Sequence, residues 1–302
     1  DYWDDVIKKH EKTREAKEKD RCNHVRVTNA HTGPIFLTYR DVDAIDKIIE
    51  EVIKNDPDND HTAEDGIRHT SWVIKDKEKI DAINKHLAQV DNFYVADGHH
   101  RSAAAAIVGR ERQKDNPNHK GDEEYNYFLS VLFPASHLKI LDYNRVIKDL
   151  NGNSAEEFIG KIKDTFSVEE AGTEPFKPEK KGQLGMYLNK KWYKLDAKDE
   201  LVNDPDPVES LDVAILQDHV LDKVLGIKDP KKDERVDFVG GIRGLKELER
   251  RVDSGEMAAA FAMYPTSIEE LMDIADADKI MPPKSTWFEP KLRDGLFVHF
   301  LD

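Results

Sequence analysis

The sequence has 302 residues, and its 46 Lys and Arg against 61 Asp and Glu give a formal net charge of −15. So acidic a chain is poorly suited to generic nucleic-acid binding, which depends on neutralising phosphates. Cys22 is its only cysteine, which excludes an internal disulfide framework and a Cys-based zinc site. No apolar run approaches the roughly 20 residues that a membrane span needs, and no signal peptide is visible. We therefore expect a cytoplasmic protein, which can still bind a small anionic ligand where a local cluster of Arg, Lys and His overrides the global charge.

The first half of the chain alternates strand and helix patterns, which is typical of an α/β fold. It begins with a charged segment that we interpret as a helix, and it includes one polar stretch interpreted as a loop. The expected elements are a helix over 2–21, a strand over 34–39, a helix from an N-cap at Asp41, a loop over 55–65, a strand over 67–74, a helix over 76–89, a strand over 93–96, an Ala-rich helix after it, and strands over 128–133 and 138–141.

The second half restarts the α/β pattern after about residue 150. We expect residues 1–147 to form a phosphate-binding catalytic region and residues 148–302 a C-terminal α/β region, whose final segment, 281–291, returns toward the site. The expected elements of this half are helices over 155–165, 211–225, 243–253 and 267–274 and strands over 166–170, 184–188, 192–195, 236–239, 257–264 and 296–300.

The most informative motif is Asp97-Gly-His-His-Arg101, where a buried strand meets the Ala-rich helix. Gly98 permits a tight turn, and the first amides of the helix then point back at the turn, which is the geometry of an anion site. Arg101 can clamp phosphate oxygens in a bidentate manner, and His99 and His100 add donors. Asp97 at the strand end is a candidate Mg²⁺ ligand and catalytic residue. A zinc site is less favoured, because metalloprotease-type His spacing is missing.

Four other segments carry candidate residues. Most charge runs are only solvated helix faces, but in the run from Lys8 to Arg21 the Glu11 carboxylate, beside His10, could act as a general base on a hydroxyl. The loop Pro282-Pro-Lys-Ser-Thr286 offers phosphate donors in Lys284, Ser285 and Thr286, with Lys291 close behind, although a rigid packed loop explains it equally well. His69 and Trp72 lie on a predicted strand and are candidate substrate contacts, Trp72 being better explained as core. The glycines at 240–244 fit a phosphate turn or a plain turn.

Together these segments resemble a large bacterial and archaeal family known as domain of unknown function 1015. The resemblance rests on Ile7-Lys-Lys-His-Glu-Lys-Thr13, on residues 17–21, 34–37, 69 and 72, and above all on Val95-Ala-Asp-Gly-His-His-Arg101 and Met281-Pro-Pro-Lys-Ser-Thr-Trp-Phe288. The family usually carries a further N-terminal segment, and the sequence here opens at Asp1 without a methionine. We therefore expect the natural protein to extend further toward its N-terminus.

The Gly98-His-His-Arg101 turn also resembles the ParB/sulfiredoxin-like superfamily, in which a Gly-x-x-Arg turn grips nucleotide phosphates. Members of that superfamily phosphorylate free L-serine and show a His-Glu pair and an Asp-Gly-His-His-Arg loop, which resemble His10-Glu11 and Asp97–Arg101 here. The resemblance implies a ParB/sulfiredoxin-like catalytic core with an additional C-terminal α/β region. It also implies Glu11 as the base, Asp97 as the Mg²⁺ ligand and Asp97, His100 and Glu11 as catalytic residues.

The activity so implied is a serine kinase that makes O-phospho-L-serine, with pyrophosphate or a nucleotide as donor. Gly98, His99, His100, Arg101, Lys284, Ser285, Thr286 and Lys291 would bind phosphate, and His10, His69 and Trp72 would contact the amino acid. The alternative is a non-catalytic, nucleotide-binding, ParB-like switch protein, which the net charge of −15 disfavours. Sulfiredoxin-type thiol chemistry ranks last, because histidines occupy the place where its cysteine would stand.

Overall fold

The computed structural model describes residues 2–288 and 291–302. The chain forms two compact units. The first runs to Leu138 and takes up the C-terminal residues 291–302, and the second begins at Lys139 and runs to Phe288. Residues 139–147, which the sequence pattern groups with the first region, thus belong to the second unit, and Lys291 belongs to the first.

The first unit contains short strands and four helices among its described residues. In chain order they are β1 (Ile7–Lys8), α1 (Glu15–Thr28), β2 (Ala30–His31), β3 (Ile35–Tyr39), α2 (Asp43–Val52), β4 (Asn59–Thr62), β5 (Arg68–Ser71), α3 (Lys77–Leu87), β6 (Phe93–Asp97), α4 (His99–Asp115) and β7 (Ser130–Pro134).

The central sheet of this unit has the strand order β1-β6-β3-β7. β1 pairs with β6 in parallel, with Ile7 opposite Phe93, and β3 pairs with β6 antiparallel and with β7 in parallel. The carboxyl ends of parallel neighbours meet at the same edge of a sheet. The residues that follow β1 and those that follow β6 therefore lie side by side.

The helix expected over 2–21 is wrong in its first two thirds. Residues 7–8 form a strand, residues 9–14 have no helix, and α1 begins only at Glu15. The reason is tertiary: Ile7 is buried in a cluster with Ile35, Leu37, Val95 and Ala105 and completes the sheet edge. The spacing of Lys and Glu cannot reveal the two-residue strand β1, because its partner β6 lies far along the chain.

The loop expected over 55–65 is also partly wrong, since β4 and β5 form an antiparallel hairpin with His61 opposite His69. Its strands are polar and largely exposed, so alternation of apolar residues could not reveal them. Asp41 does not cap α2, whose N-cap is Val42. The Asp41 carboxylate instead accepts the backbone N–H of Ser136 at 3.0 Å.

Helices α1 and α4 pack side by side and run in the same direction. Cys22 and Val25 of α1 form one buried cluster with Ala104 and Val108 of α4 and with Leu301. Arg26 and Glu111 join the outer ends of the two helices by a bidentate ion pair at 2.7 and 2.9 Å. Both helices therefore begin at the edge of the sheet where β1 and β6 end.

The second unit contains strands and helices that follow one another along residues 139–288. In chain order they are β8 (Ile140–Leu141), β9 (Tyr143–Ile147), α5 (Ala155–Ile162), β10 (Phe166–Gly172), β11 (Gln183–Leu188), β12 (Lys191–Ala197), α6 (Asp199–Val202), α7 (Asp212–Leu216), β13 (Val236–Gly240), α8 (Leu245–Asp253), β14 (Ala259–Ala262), α9 (Ile268–Asp276) and β15 (Trp287–Phe288).

The second unit is built on an antiparallel sheet of strand order β10-β12-β11-β14-β9-β13. Its core is apolar, with Trp192 and Leu248 fully buried. The helix expected over 211–225 starts as α7 and changes to a π-helix at Gln217–Asp222.

The C-terminal residues return to the first unit through one last strand, β16 (His299–Phe300), which pairs antiparallel with β2. The mixed α/β class expected from the sequence is thus confirmed for both units. Among the residues that the structure describes, no helix has the length and apolar character needed to cross a bilayer.

Candidate functional site

The turn between β6 and α4 has the backbone geometry of an anion site. Gly98 adopts φ +100°, a left-handed conformation that favours glycine. It is the N-cap of the 17-residue helix α4, whose first amides receive no side-chain cap from the residues that the structure describes. The Asp97 carboxylate turns toward the same point and accepts the Gly98 N–H at 2.8 Å. Uncapped amides and the positive end of the helix dipole therefore face the space beside the turn.

The Arg101 guanidinium folds back over this turn. A Cβ placed on Gly98 would lie 3.2 Å from Arg101 Nε and 3.3 Å from one of its terminal nitrogens. The Arg101 Nε is buried and has no hydrogen-bond partner within the described chain. Its other end lies 3.4 Å from the Asp294 carboxylate, which is too long for a strong charge-assisted bond. Arg101 is thus positioned at the turn with donors still available.

The segment after β1 is held against the turn at two points. The rings of His10 and His99 pack edge to face with centroids 4.5 Å apart, and the Arg14 backbone N–H donates to His100 Nε2 at 3.0 Å. Glu11 lies between these two anchors, and its side chain is exposed. The structure therefore brings the His10-Glu11 pair and the Asp97–Arg101 turn to one edge of the sheet.

The three histidines of the site are held in the neutral form. Burial, reinforced by the neighbouring His99, lowers the pKa of His10 well below its ordinary value. Burial lowers the pKa of His99 to about 4, and burial with nearby Lys17 and Arg14 lowers the pKa of His100. Because His100 Nε2 accepts a hydrogen bond, we assign its proton to Nδ1. These rings offer neutral donors and acceptors, whereas the positive charge at the turn comes from Arg101.

Most of the buried side-chain atoms without a hydrogen-bond partner lie at this turn. In the described ranges these atoms belong to His10 (both ring nitrogens), His99 (Nε2) and Arg101 (Nε) at the turn and to His69 (Nε2) on the β4–β5 hairpin. All four residues were singled out by the sequence motifs. Leaving a buried polar group unsatisfied costs about 1–3 kcal/mol, so such groups normally have a partner. A polar ligand at the turn would supply the partners that His10, His99 and Arg101 lack.

The C-terminal residues 291–294 contact the turn and the hairpin of the same unit. Lys291 Nζ lies 3.4 Å from the second oxygen of Asp97, and Asp294 faces Arg101. Arg293 pairs with Asp65 at the tip of the β4–β5 hairpin. Sequence reasoning missed Asp294 and Asp65. The one feature of the sequence that could have indicated them is the density of charged residues within 291–294.

The hairpin residues His69 and Trp72 have different environments. The Trp72 indole N–H donates to the Asn55 carbonyl oxygen at 2.9 Å, which ties the end of the hairpin to the preceding loop. His69 lies at the centre of the hairpin, opposite His61, with a buried, unpartnered Nε2. His69 therefore keeps a free polar atom for a ligand, while the polar atom of Trp72 is used within the chain.

Lys284, Ser285 and Thr286 belong to the second unit and form a tight loop there. Ser285 is only 4% exposed, and its hydroxyl donates to the Pro282 carbonyl at 2.7 Å. Lys284 has φ +61°, places its ammonium 5.2 Å from the centre of the Tyr143 ring, and accepts a hydrogen bond from Arg145 at its carbonyl. Phosphate binding by Lys284, Ser285 and Thr286 stays a prediction. The Ser285 hydroxyl is already used for a hydrogen bond within the loop.

A metal at this site would depend on Asp97. Among the described residues no group of three or more His, Cys, Asp or Glu side chains is arranged to hold a metal ion. Mg²⁺ commonly takes one or two carboxylates and completes its shell with substrate phosphates and water. A half-buried carboxylate beside an anion turn fits that mode of binding, and it does not fit a closed zinc site.

The turn is half-buried, and it does not line the cavity described next. A cavity of about 310 Å³ is lined by residues that include Tyr2, Trp3, Gly109, Arg110 and Tyr125, and none of the turn residues reaches it. Unsatisfied polar atoms are the better guide for a small anionic ligand, because its binding depends on directed donors more than on enclosed volume.

These features define a mixed α/β protein whose first unit presents a strand–glycine–helix turn faced by a His-Glu segment. The chain belongs to the family described as proteins of unknown function, DUF1015, which matches residues 1–214. No curated protein matches the sequence.

Solved structures resemble this chain over most of its length at low sequence identity. SbnI with a C-terminal truncation, from Staphylococcus aureus, has a TM-score of 0.50 at 11% identity, covering 98% of this chain and 85% of that one. A free serine kinase variant in complex with AMP has a TM-score of 0.45 at 15% identity, covering 96% and 88%. A conserved hypothetical protein from Pyrococcus furiosus has a TM-score of 0.42 at 17% identity, covering 96% and 91%. At these identities the likeness concerns the fold alone.

Proposed function

We propose that this protein is a kinase for a small free hydroxy compound, with L-serine as the acceptor and a phosphate-chain donor bound at the Asp97–Arg101 turn. The proposal includes a ParB/sulfiredoxin-like core, because Gly98 and Arg101 stand at the Gly-x-x-Arg positions of a strand-to-helix turn. The observation that carries it is the packing of the His10-Glu11 segment against that turn, through His10 on His99 and Arg14 on His100.

Phosphoryl transfer gains most from positioning and from stabilising charge on the transferred group. Arg101 and the uncapped amides at the start of α4 would hold the donor oxygens, and Lys291 beside Asp97 would add a second cation. His99 and His100, kept neutral by burial, would donate or accept hydrogen bonds without adding charge. Asp97 would hold Mg²⁺, which would neutralise part of the negative charge on the donor oxygens.

The acceptor side of the site would be formed by Glu11, His10 and His69. The serine hydroxyl oxygen attacks the terminal phosphorus of the donor, and Glu11 takes the hydroxyl proton in the same step. A new O–P bond forms, the bridging P–O bond of the donor breaks, and the leaving phosphate departs with the bridging oxygen. With pyrophosphate the products are O-phosphoserine and orthophosphate. The buried, unpartnered nitrogens of His10 and His69 would meet the polar groups of the amino acid.

The direct test incubates the full-length protein with serine and Mg²⁺ and, separately, pyrophosphate, ADP and ATP, with phosphoserine measured by ³¹P NMR. We expect product with at least one donor, and loss of product without loss of donor binding in Glu11→Gln. Absence of phosphoserine with all three donors would overturn the kinase proposal. Tight nucleotide binding without turnover would instead favour a nucleotide-binding switch.

A further inference from the structure

Three cationic side chains at the start of α1 and along one flank of it have no role in the proposed reaction. Lys17 and Arg21 lie four residues apart in α1, so they share one side of the helix. This side borders the face through which Cys22 and Val25 are buried. Arg14 is the extended N-cap residue directly before the helix. The three side chains are exposed, and from Lys17 to Arg21 the helix rises by about 6 Å.

These cations are largely uncompensated. Within the described residues, neither Arg14 nor Lys17 makes an ion pair with a carboxylate, and the nearest carboxylate to Arg21 is that of Asp20 at 3.9 Å, with both side chains more than half exposed. The acidic neighbour on the same helix, Glu18, accepts a hydrogen bond from the Thr13 hydroxyl at 2.8 Å. In a chain of net charge −15, three neighbouring cations with so little pairing are a local exception.

The first of these three cations, Arg14, lies at the Asp97–Arg101 turn. The backbone N–H of Arg14 is bonded to His100, and α1 and α4 begin together at this edge and pack along their length. After burial, Lys17 and Arg14 contribute most to lowering the pKa of His100, Glu18 opposes them, and Arg21 adds to the effect. The three cations therefore act electrostatically on the turn itself.

We propose that Arg14, Lys17 and Arg21 extend the turn into a track for a chain of three or more linked phosphates. This inference rests on the proposed function and names its donor class: a linear inorganic polyphosphate or the triphosphate of a nucleotide, with the reacting end at Arg101. Lys17 and Arg21 would then bind the phosphates that a pyrophosphate donor does not have.

Binding measurements test the track independently of serine phosphorylation. Pyrophosphate, tripolyphosphate, ADP and ATP are titrated calorimetrically into the wild-type protein and into the double variant Lys17→Gln/Arg21→Gln. The control is Lys19→Gln/Lys47→Gln, which removes the same charge from another side of α1 and from α2, at exposed lysines that make no ion pair within the described part of the chain. We expect tripolyphosphate to bind the wild type about tenfold more tightly than pyrophosphate.

In the Lys17→Gln/Arg21→Gln variant that preference should fall to near unity while pyrophosphate affinity is kept, and in the control it should remain. Equal wild-type affinity for the two anions, or equal losses in the two double variants, would overturn the track. If ATP binds tightly and tripolyphosphate does not, the base carries the affinity and the inference is again wrong. A loss of phosphoserine formation with the chain-length preference intact would overturn only the kinase proposal.

Discussion

The imidazole rings of His10 and His99 pack edge to face, with centroids 4.5 Å apart and planes at 87°. Both rings are buried, and three of their four nitrogens have no partner in the described chain. This contact joins the segment after β1 to the turn after β6, so it fixes the position of Glu11 relative to Arg101. Together with the hydrogen bond from the Arg14 N–H to His100, it holds the segment that carries Glu11 against the turn.

The first prediction concerns Gly98. Replacement by alanine imposes the strain of a left-handed φ, roughly 1–2 kcal/mol, and places a Cβ 3.2 Å from Arg101 Nε. We expect Gly98→Ala to fold and to lose about tenfold or more in pyrophosphate affinity measured by calorimetry. The matched control is Gly121→Ala, which has φ +101° and open space around its Cβ. Equal donor affinity in the two variants would contradict the role of the turn.

The second prediction separates binding from chemistry at Glu11. Because Glu11 is proposed to take a proton and not to hold the donor, Glu11→Gln should lower the rate of phosphoserine formation by roughly 10²–10⁴-fold and leave the donor Kd unchanged. Glu50→Gln, on the exposed side of α2, removes the same charge at a distance from the site and should keep full activity. An active Glu11→Gln enzyme would show that another group is the base.

The third prediction concerns the contact between Asp294 and Arg101. A carboxylate 3.4 Å from the guanidinium stands where a phosphate oxygen is expected, so it competes with the donor. We expect Asp294→Asn to raise pyrophosphate affinity about two- to fivefold, the range of an exposed ion pair, with a smaller gain at high salt. Asp302→Asn, an exposed change in the same C-terminal segment, should have no effect. Weaker binding in Asp294→Asn would show that this carboxylate supports the site.

Sequence reasoning found the turn because its signals are local. An apolar strand, a glycine and an Ala-rich helix occur together within residues 93–106, and the structure has β6, Gly98 and α4 there. The same reasoning placed His10 and Glu11 on a helix. β1 has two residues and exists because Ile7 packs into a sheet whose other strands lie far along the chain, which no local pattern can indicate.

The contacts that assemble the site are also non-local. Arg14 and His100 are separated by 86 residues and Asp97 and Lys291 by 194. The residue types at these positions indicated phosphate chemistry, but their proximity follows from the parallel pairing of β1 with β6 and from the return of residues 291–302 to the first unit. The neutral state of the histidines was likewise hidden, because it results from burial.

The last prediction concerns acid stability, and its clearest case is His31. Burial, with His299 and Arg112 nearby, lowers the pKa of His31 to about 4. His299 lies between His31 and Glu124, at 3.3 and 2.8 Å. In the unfolded chain a histidine has a pKa near 6.5. Between pH 6.5 and 4, His31 is therefore protonated in the unfolded state and neutral in the folded state. Stability should therefore fall as the pH falls through this window, by at most about 3 kcal/mol from His31.

Urea unfolding at pH 7 and at pH 5 measures this loss. Hydrogen exchange of the α4 amides monitors the unfolding of the first unit in each case. His31→Leu should show a smaller difference between the two pH values than the wild type, because one of the groups that resists protonation is gone. His24→Leu replaces an exposed histidine of α1 and should keep the wild-type difference. Since burial also lowers the pKa of His99 to about 4, part of the pH dependence should remain in His31→Leu. An unchanged pH dependence in His31→Leu would show that His31 titrates as it does in the unfolded chain.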